Sequence, residues 1–314
     1  MKNATTGALP KSEAGPYLIL LAAIFLSGAA GLINQIAWQR AVKIYLGNSE
    51  TLSATIVVLV FMLGLGIGSI AASSRAEGLS NPFRTLGAIE VLLTAVNLGL
   101  ILLFGERLQV YGHGLQRAAA EAGLSSSLVL ALLSLAILII PCFLMGLTIP
   151  IAAEAAQRQL RIERNSVVAH FFVLNTVGAV VGTIGCGFLL LPLLGQKNAL
   201  VFAATSNLVA GVLILAFLGR FPATPTEGSA TPATGRGPLF LLITGRRAPR
   251  HEEVLAFALG ALSLAYEIYL FRITALAYTP LPWIFTAVLC GYLLFWSLGL
   301  WISERIPHRI AATL

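Results

Sequence analysis

With 314 residues, 57% of them hydrophobic, 11% charged and a mean hydropathy of +0.88, the chain has too few polar groups to cover a water-soluble globule of its size. Thirteen acidic residues are all glutamate, which excludes any mechanism that needs an aspartate nucleophile, an aspartate metal ligand or an Asp-based triad. The net charge of +7 comes from Lys and Arg placed mainly between apolar segments, where orientation in a membrane accounts for them and no nucleic-acid partner is implied.

Apolar runs between polar breaks predict eight membrane-spanning helices at about 17–39, 52–73, 83–104, 125–152, 167–191, 199–218, 254–276 and 282–302. Each has at least the roughly 20 residues that cross about 30 Å of hydrocarbon as helix, and the period-2 alternation of a barrel is absent. The fold class is therefore all-α, a polytopic membrane helix bundle. The first span is expected to continue past Trp38 toward Tyr45 as an amphipathic extension. Residues 27–30 mimic a signal cleavage region, but the same stretch recurs later in the chain and is read as part of a retained helix. The fourth span exceeds the hydrocarbon thickness, and Pro141 inside it predicts a kink or a tilt.

These spans divide the chain into a tail at 1–16, a six-helix bundle at 17–219, a linker at 220–253, two further helices at 254–304 and a tail at 305–314. The linker, with FPATPTEGSATPATGRG and GRRAPRHEE, cannot bury a core, and its short apolar run at 239–243 cannot cross a membrane. With the N-terminus inside, fourteen basic residues fall on inside segments and six on outside ones, which places both termini in the cytoplasm. Cys142, Cys186 and Cys290 lie in apolar runs without CxxC spacing and read as small buried hydrophobes. No cofactor is expected, and His113, His251 and His308 lack the spacing of metal ligands.

An internal repeat crosses the linker. GAAGLINQIAWQR (28–40) aligns without gaps to GALSLAYEIYLFR (260–272), pairing Gly28 with Gly260, Gln35 with Glu267 and Arg40 with Arg272. Together with LGNS (46–49), FMLGLGIGS (61–69), PCFLMGLTIP (141–150) and LNTVGAVVGTIGCGFLLLPLLG (174–195), these segments resemble the membrane region of the fused major-facilitator/spermidine-synthase-like family. In that bacterial family a polytopic domain precedes a soluble aminopropyltransferase-type domain. The resemblance implies a facilitator-like six-helix half plus two helices of an incomplete second half, located in the bacterial inner membrane. It further implies that the chain binds or transports a small solute, related to polyamines. The alternative is a non-transporting scaffold that anchors a separately encoded soluble aminopropyltransferase-like enzyme. Beside the lipid bilayer, the expected partners are that enzyme or a second copy of the chain.

Two departures stand out: Asn34 and Gln35 replace the family's Tyr-Glu, which the second repeat keeps as Tyr266 and Glu267, and 69–84 lack an Asp. The Gly-rich strand-turn-helix and acidic residues of a synthase domain are absent from the sequence, so aminopropyl transfer by this polypeptide is not expected. Ionisable groups in hydrocarbon cost several kcal/mol unless paired or hydrated, so Glu90 and Glu267 are candidates for substrate binding or for structural pairing. Asn97 and Asn175 add mid-span hydrogen-bonding groups, and Gln35, Tyr266, Arg40 and Arg272 complete the candidate substrate-binding set. The blander expectation for Arg40 and Arg272 is snorkelling at the membrane boundary, with Trp38 in an interfacial belt. Glycines at small-xxx-small spacing in spans two and five are expected to pack helices closely.

Overall fold

The computed structural model describes residues 11–45, 50–104, 106–162, 164–222, 251–277 and 284–303. Within them nearly every residue is helical and there is no strand. A helix satisfies its backbone polar groups inside one segment, as hydrocarbon demands. The helices in chain order are α1 (Lys11–Tyr45), α2 (Glu50–Ser73), α3 (Pro82–Leu103), α4 (Glu106–Glu121), α5 (Ser126–Gln159), α6 (Arg164–Gly185), α7 (Leu191–Leu213), α8 (His251–Ala277) and α9 (Ile284–Ser303). Six continuous helical stretches among the described residues are long and apolar enough to cross a membrane. The longest, the 52 residues Val167–Leu218, contains two of the expected spans, divided at Gly195. There φ is 77° and ψ 173°, a region essentially reserved for glycine. The last expected span begins as a shorter apolar helix, Ile284–Trp296. Most of the linker (223–250), residues 1–10 of the first tail and the whole of the tail at 305–314 lie outside the described residues.

Local chemistry sets the helix ends. Asn81 caps α3, its side chain accepting from the Arg84 amide at 3.0 Å, and Pro82 takes the first helical position, where a missing N–H costs nothing. The segment after α3, expected as a plain break, is instead the amphipathic helix α4. It closes on Gly123 (φ 73°) with Leu124 N donating to Ala119 O and Gly123 N to Ala120 O, the Schellman arrangement. Neither of the π-helical turns, Cys186–Leu190 and Ile214–Leu218, was foreseeable from hydropathy.

The tightest pairings are α2 with α5 and α1 with α6, followed by α7 against both α1 and α3. Glycine makes the first two close. A Cβ on Gly64 or Gly68 of α2 would strike Cys142 or Phe143 of α5, and one on Gly178 or Gly182 of α6 would strike the Phe25 or Ala29 carbonyl of α1. Exchanging α1, α2 and α3 for α5, α6 and α7 maps these contacts onto one another, including the two glycine pairs at i,i+4. The α8–α9 pair attaches through α9 to α6 and through α8 to α2. A second apolar cluster, with Ile33, Ile36, Ala54, Val58, Phe271 and Phe285, fills that junction.

Candidate functional site

The polar residues inside this bundle fall into four groups. At the junction with α8 and α9, Leu264, Glu267 and Phe271 follow at three and four residues and share one helix face. Leu264 and Phe271 pack into the junction cluster, which places Glu267 on the side of α8 that faces the bundle. Glu267 is 1% exposed, and its Oε1 has no hydrogen-bond partner. The Tyr292 phenol of α9 is hydrogen-bonded to Ser263 of α8, and its ring stacks on Trp296. Phe271 and Phe285 stack at 4.8 Å beside it. Tyr266, by contrast, is 56% exposed and stacks on Tyr269, away from Glu267.

The second group surrounds a cavity of about 120 Å³ at the end of the bundle where α1 gives way to α2. Gln39, Arg40 and Lys43 from the last turns of α1, Glu50 from the first turn of α2, Leu191 and Phe285 line it. Lys43 forms an ion pair with Glu50, and Gln39 Nε2 donates to Glu50 Oε1 at 3.2 Å and to Ser53 Oγ at 3.1 Å.

In the bundle interior, Glu90 of α3 is 1% exposed, lies within side-chain hydrogen-bonding reach of Ser27 on α1, and leaves Oε2 without a partner. Thr94 Oγ1 donates to Glu90 O at 3.0 Å and to Ala204 O at 3.2 Å, tying α3 to α7. Seven residues, about two turns, beyond Ser27 and Glu90 stand Asn34 and Asn97, both fully buried with amide atoms that have no partner. Gln35, next to Asn34, is likewise buried with neither amide atom bonded.

The fourth group locks the opposite end, where α2 gives way to α3. Gln159 Oε1 accepts from Phe83 N at 3.0 Å, and its Nε2 donates to Asn81 Oδ1 and Phe221 O. Arg158 donates to the Glu77 and Leu79 carbonyls, and Arg84 Nε donates to Gly219 O at 2.9 Å.

The residues singled out in the sequence are thus dispersed. Glu267 belongs to the α8–α9 junction, Arg40 to the cavity, and Glu90 and Asn97 to the interior. Asn175 sits in the α1–α6 contact, where a Cβ on Gly28 would meet its backbone and side-chain oxygens. Arg272 is exposed on α8, whereas Arg40 is half-buried, so the two members of the repeat have different surroundings. Trp38 is fully buried in the main core, with its indole nitrogen unpartnered, and does not stand in an interfacial belt. Its place on the face of α1 that carries Ser27 and Gly31 turns it inward. Sequence reasoning missed the cavity's Gln39 and Lys43, which fall on the end and expected extension of the first span, its Glu50, and Ser27, whose hydroxyl carries no hydropathy signal.

The chain is 30% identical over 209 residues to polyamine aminopropyltransferase 1 of Streptomyces coelicolor, a match that covers 66% of this chain and 35% of that protein. It is 31% identical over 214 residues to polyamine aminopropyltransferase 2 of the same organism, covering 68% of this chain and 36% of the relative. No family model and no solved structure matches it. The chain spans about a third of the length of the curated relatives it matches, and is a distant homologue of polyamine aminopropyltransferases built of apolar, membrane-type helices.

Proposed function

We propose that the chain is a polyamine-related integral membrane protein that binds a small cationic amine at the junction between the six-helix bundle and the α8–α9 pair. Glu267 is its charged contact. The observation that carries this reading is the carboxylate itself: 1% exposed, one oxygen unpartnered, and directed at the junction between Leu264 and Phe271. A carboxylate in hydrocarbon is retained where it has a partner or a ligand. The Tyr292 and Trp296 rings and the Phe271–Phe285 stack add aromatic faces that attract an ammonium group. The amine class follows from the relatives, which are polyamine aminopropyltransferases. The exchange pattern of α1–α3 with α5–α7 supports a facilitator-like six-helix half. The same proposal places the protein in the bacterial inner membrane with both termini cytoplasmic, on the fourteen-to-six distribution of basic residues.

Aminopropyl transfer forms no part of the proposal, because these 314 residues contain no Asp and the described residues contain no strand to carry a Gly-rich nucleotide-binding turn. A scaffold that holds a soluble aminopropyltransferase-like enzyme is the second reading. Glycine-mediated packing of α1 on α6 and α2 on α5 is compatible with it, since a rigid bundle serves an anchor as well as a carrier. Glu267→Gln separates the two. Spermidine or putrescine binding is expected to disappear in the variant while its thermal midpoint stays with the wild type, since amide and carboxylate are nearly isosteric. A loss of about 3–5 kcal/mol of stability would instead mark Glu267 as the partner of a buried cation and support the scaffold.

A further inference from the structure

The cavity at the α1–α2 end has the opposite electrostatic character to the Glu267 junction. It is lined by two cations, Arg40 and Lys43, and one anion, Glu50. Lys43 is paired with Glu50, and Gln39 spends its amide protons on Glu50 and Ser53. That leaves Arg40, half-buried, with no ion pair or hydrogen bond from its guanidinium among the described residues. Arg40 is a lining residue of the cavity, one turn from Ile36 and Ile44 on the same helix. A guanidinium is always charged and presents five donors in a rigid fork matched to carboxylate and phosphate oxygens. Ile36, Ile44, Leu191 and Phe285 make the rest of the wall apolar, which strengthens attraction to an anion by lowering the local dielectric.

We propose that this cavity is a binding site for a small anionic group, a carboxylate or a phosphate, held by the fork of Arg40. At about 120 Å³ it is somewhat smaller than an engineered cavity of about 150 Å³ that holds benzene, and so takes an anionic head with few attached atoms. The repeat alone does not create the site. Arg272, the sequence counterpart of Arg40, is exposed, and only the convergence of α1, α2, α7 and α9 encloses Arg40. The anion comes either from a phospholipid headgroup at this end of the bilayer or from solution, and the two sources share the chemistry that the fork recognises.

The test uses the full chain, stripped of lipid in a neutral detergent, with unfolding midpoints measured at constant ionic strength against chloride. Inorganic phosphate and acetate form the soluble arms, and phosphatidylglycerol in mixed micelles forms the lipid arm. At least one arm is expected to raise the midpoint by several degrees in the wild type and in Arg272→Gln, and to leave Arg40→Gln unmoved. A shift confined to the lipid arm identifies a headgroup, and a shift with phosphate or acetate identifies a free anion. No shift in any arm, or an equal shift in Arg40→Gln, overturns the proposal. If Arg40→Gln fails to fold, Arg40→Lys keeps the charge and loses the fork: the apparent affinity is expected to fall about tenfold, and an unchanged affinity overturns the proposal. None of the arms contains an amine, so failure of the Glu267 reading leaves this result interpretable by itself.

Discussion

Gln159 joins three parts of the chain with one side chain, accepting from the Phe83 amide and donating to Asn81 and Phe221. Gln159→Ala is expected to cost about 1–3 kcal/mol, because the Phe83 amide keeps its burial and loses its acceptor. Denaturant titration in detergent checks this, and unchanged stability would show that the network is decorative. Nothing in the sequence marks Gln159, since a glutamine at the end of an apolar run looks like a surface residue until its backbone partners, more than sixty positions away, are brought to it. Glu90 and Glu267 were legible for the opposite reason: a charge in an apolar run is conspicuous whatever surrounds it. Arg40 and Trp38 show the limit of that logic. Both sit near a predicted span end, where position along the helix axis points to the interface, yet Trp38 is fully buried in the main core and Arg40 lines a cavity.

At the scale of the helix, α2 provides its own control. A Cβ on Gly68 would strike Phe143 O and Gly146 of α5, whereas one on Gly66, two residues earlier on the opposite face, would meet nothing within 4 Å. Gly68→Ala is therefore expected to destabilise by about 1–3 kcal/mol through overpacking against backbone that cannot yield. Gly66→Ala should be neutral or slightly stabilising, since alanine is the better helix former. Comparable effects of the two substitutions in thermal unfolding would contradict the α2–α5 contact. Hydropathy located the spanning helices because each carries its own long apolar run, and the small-xxx-small spacing pointed to close packing without naming partners. It missed α4, in which Gly112 and Gly114 and a polar face leave no apolar window. It also left the Gly195 break as an ordinary loop, because a left-handed glycine inside continuous helix has no signature in composition.

For the molecule as a whole, the distribution of basic residues predicts a sidedness that enzyme fusions can read. Alkaline phosphatase joined after Gln116 or Lys197 is expected to be active, and joined within 223–250 or after Arg305 to be inactive, so activity from a linker fusion would reverse the orientation. Under that orientation the cavity at Arg40 opens on the outer side, while the network of Asn81, Arg84, Arg158 and Gln159 closes the cytoplasmic ends of α3, α5 and α7. The general architecture was readable from composition. The assembly of the junction was not, because it depends on which faces of α1, α2 and α8 meet, and the repeat equates Arg40 with Arg272 where the fold separates them. The central claim, an amine bound at that junction, is tested most directly by cross-linking a photoreactive diamine to the purified full chain and mapping the adducts by mass spectrometry. The account predicts adducts concentrated on 263–271 and 285–296, competed by spermidine and lost in Glu267→Gln. Adducts spread over the lipid-facing surface, or unchanged by the substitution, would contradict it.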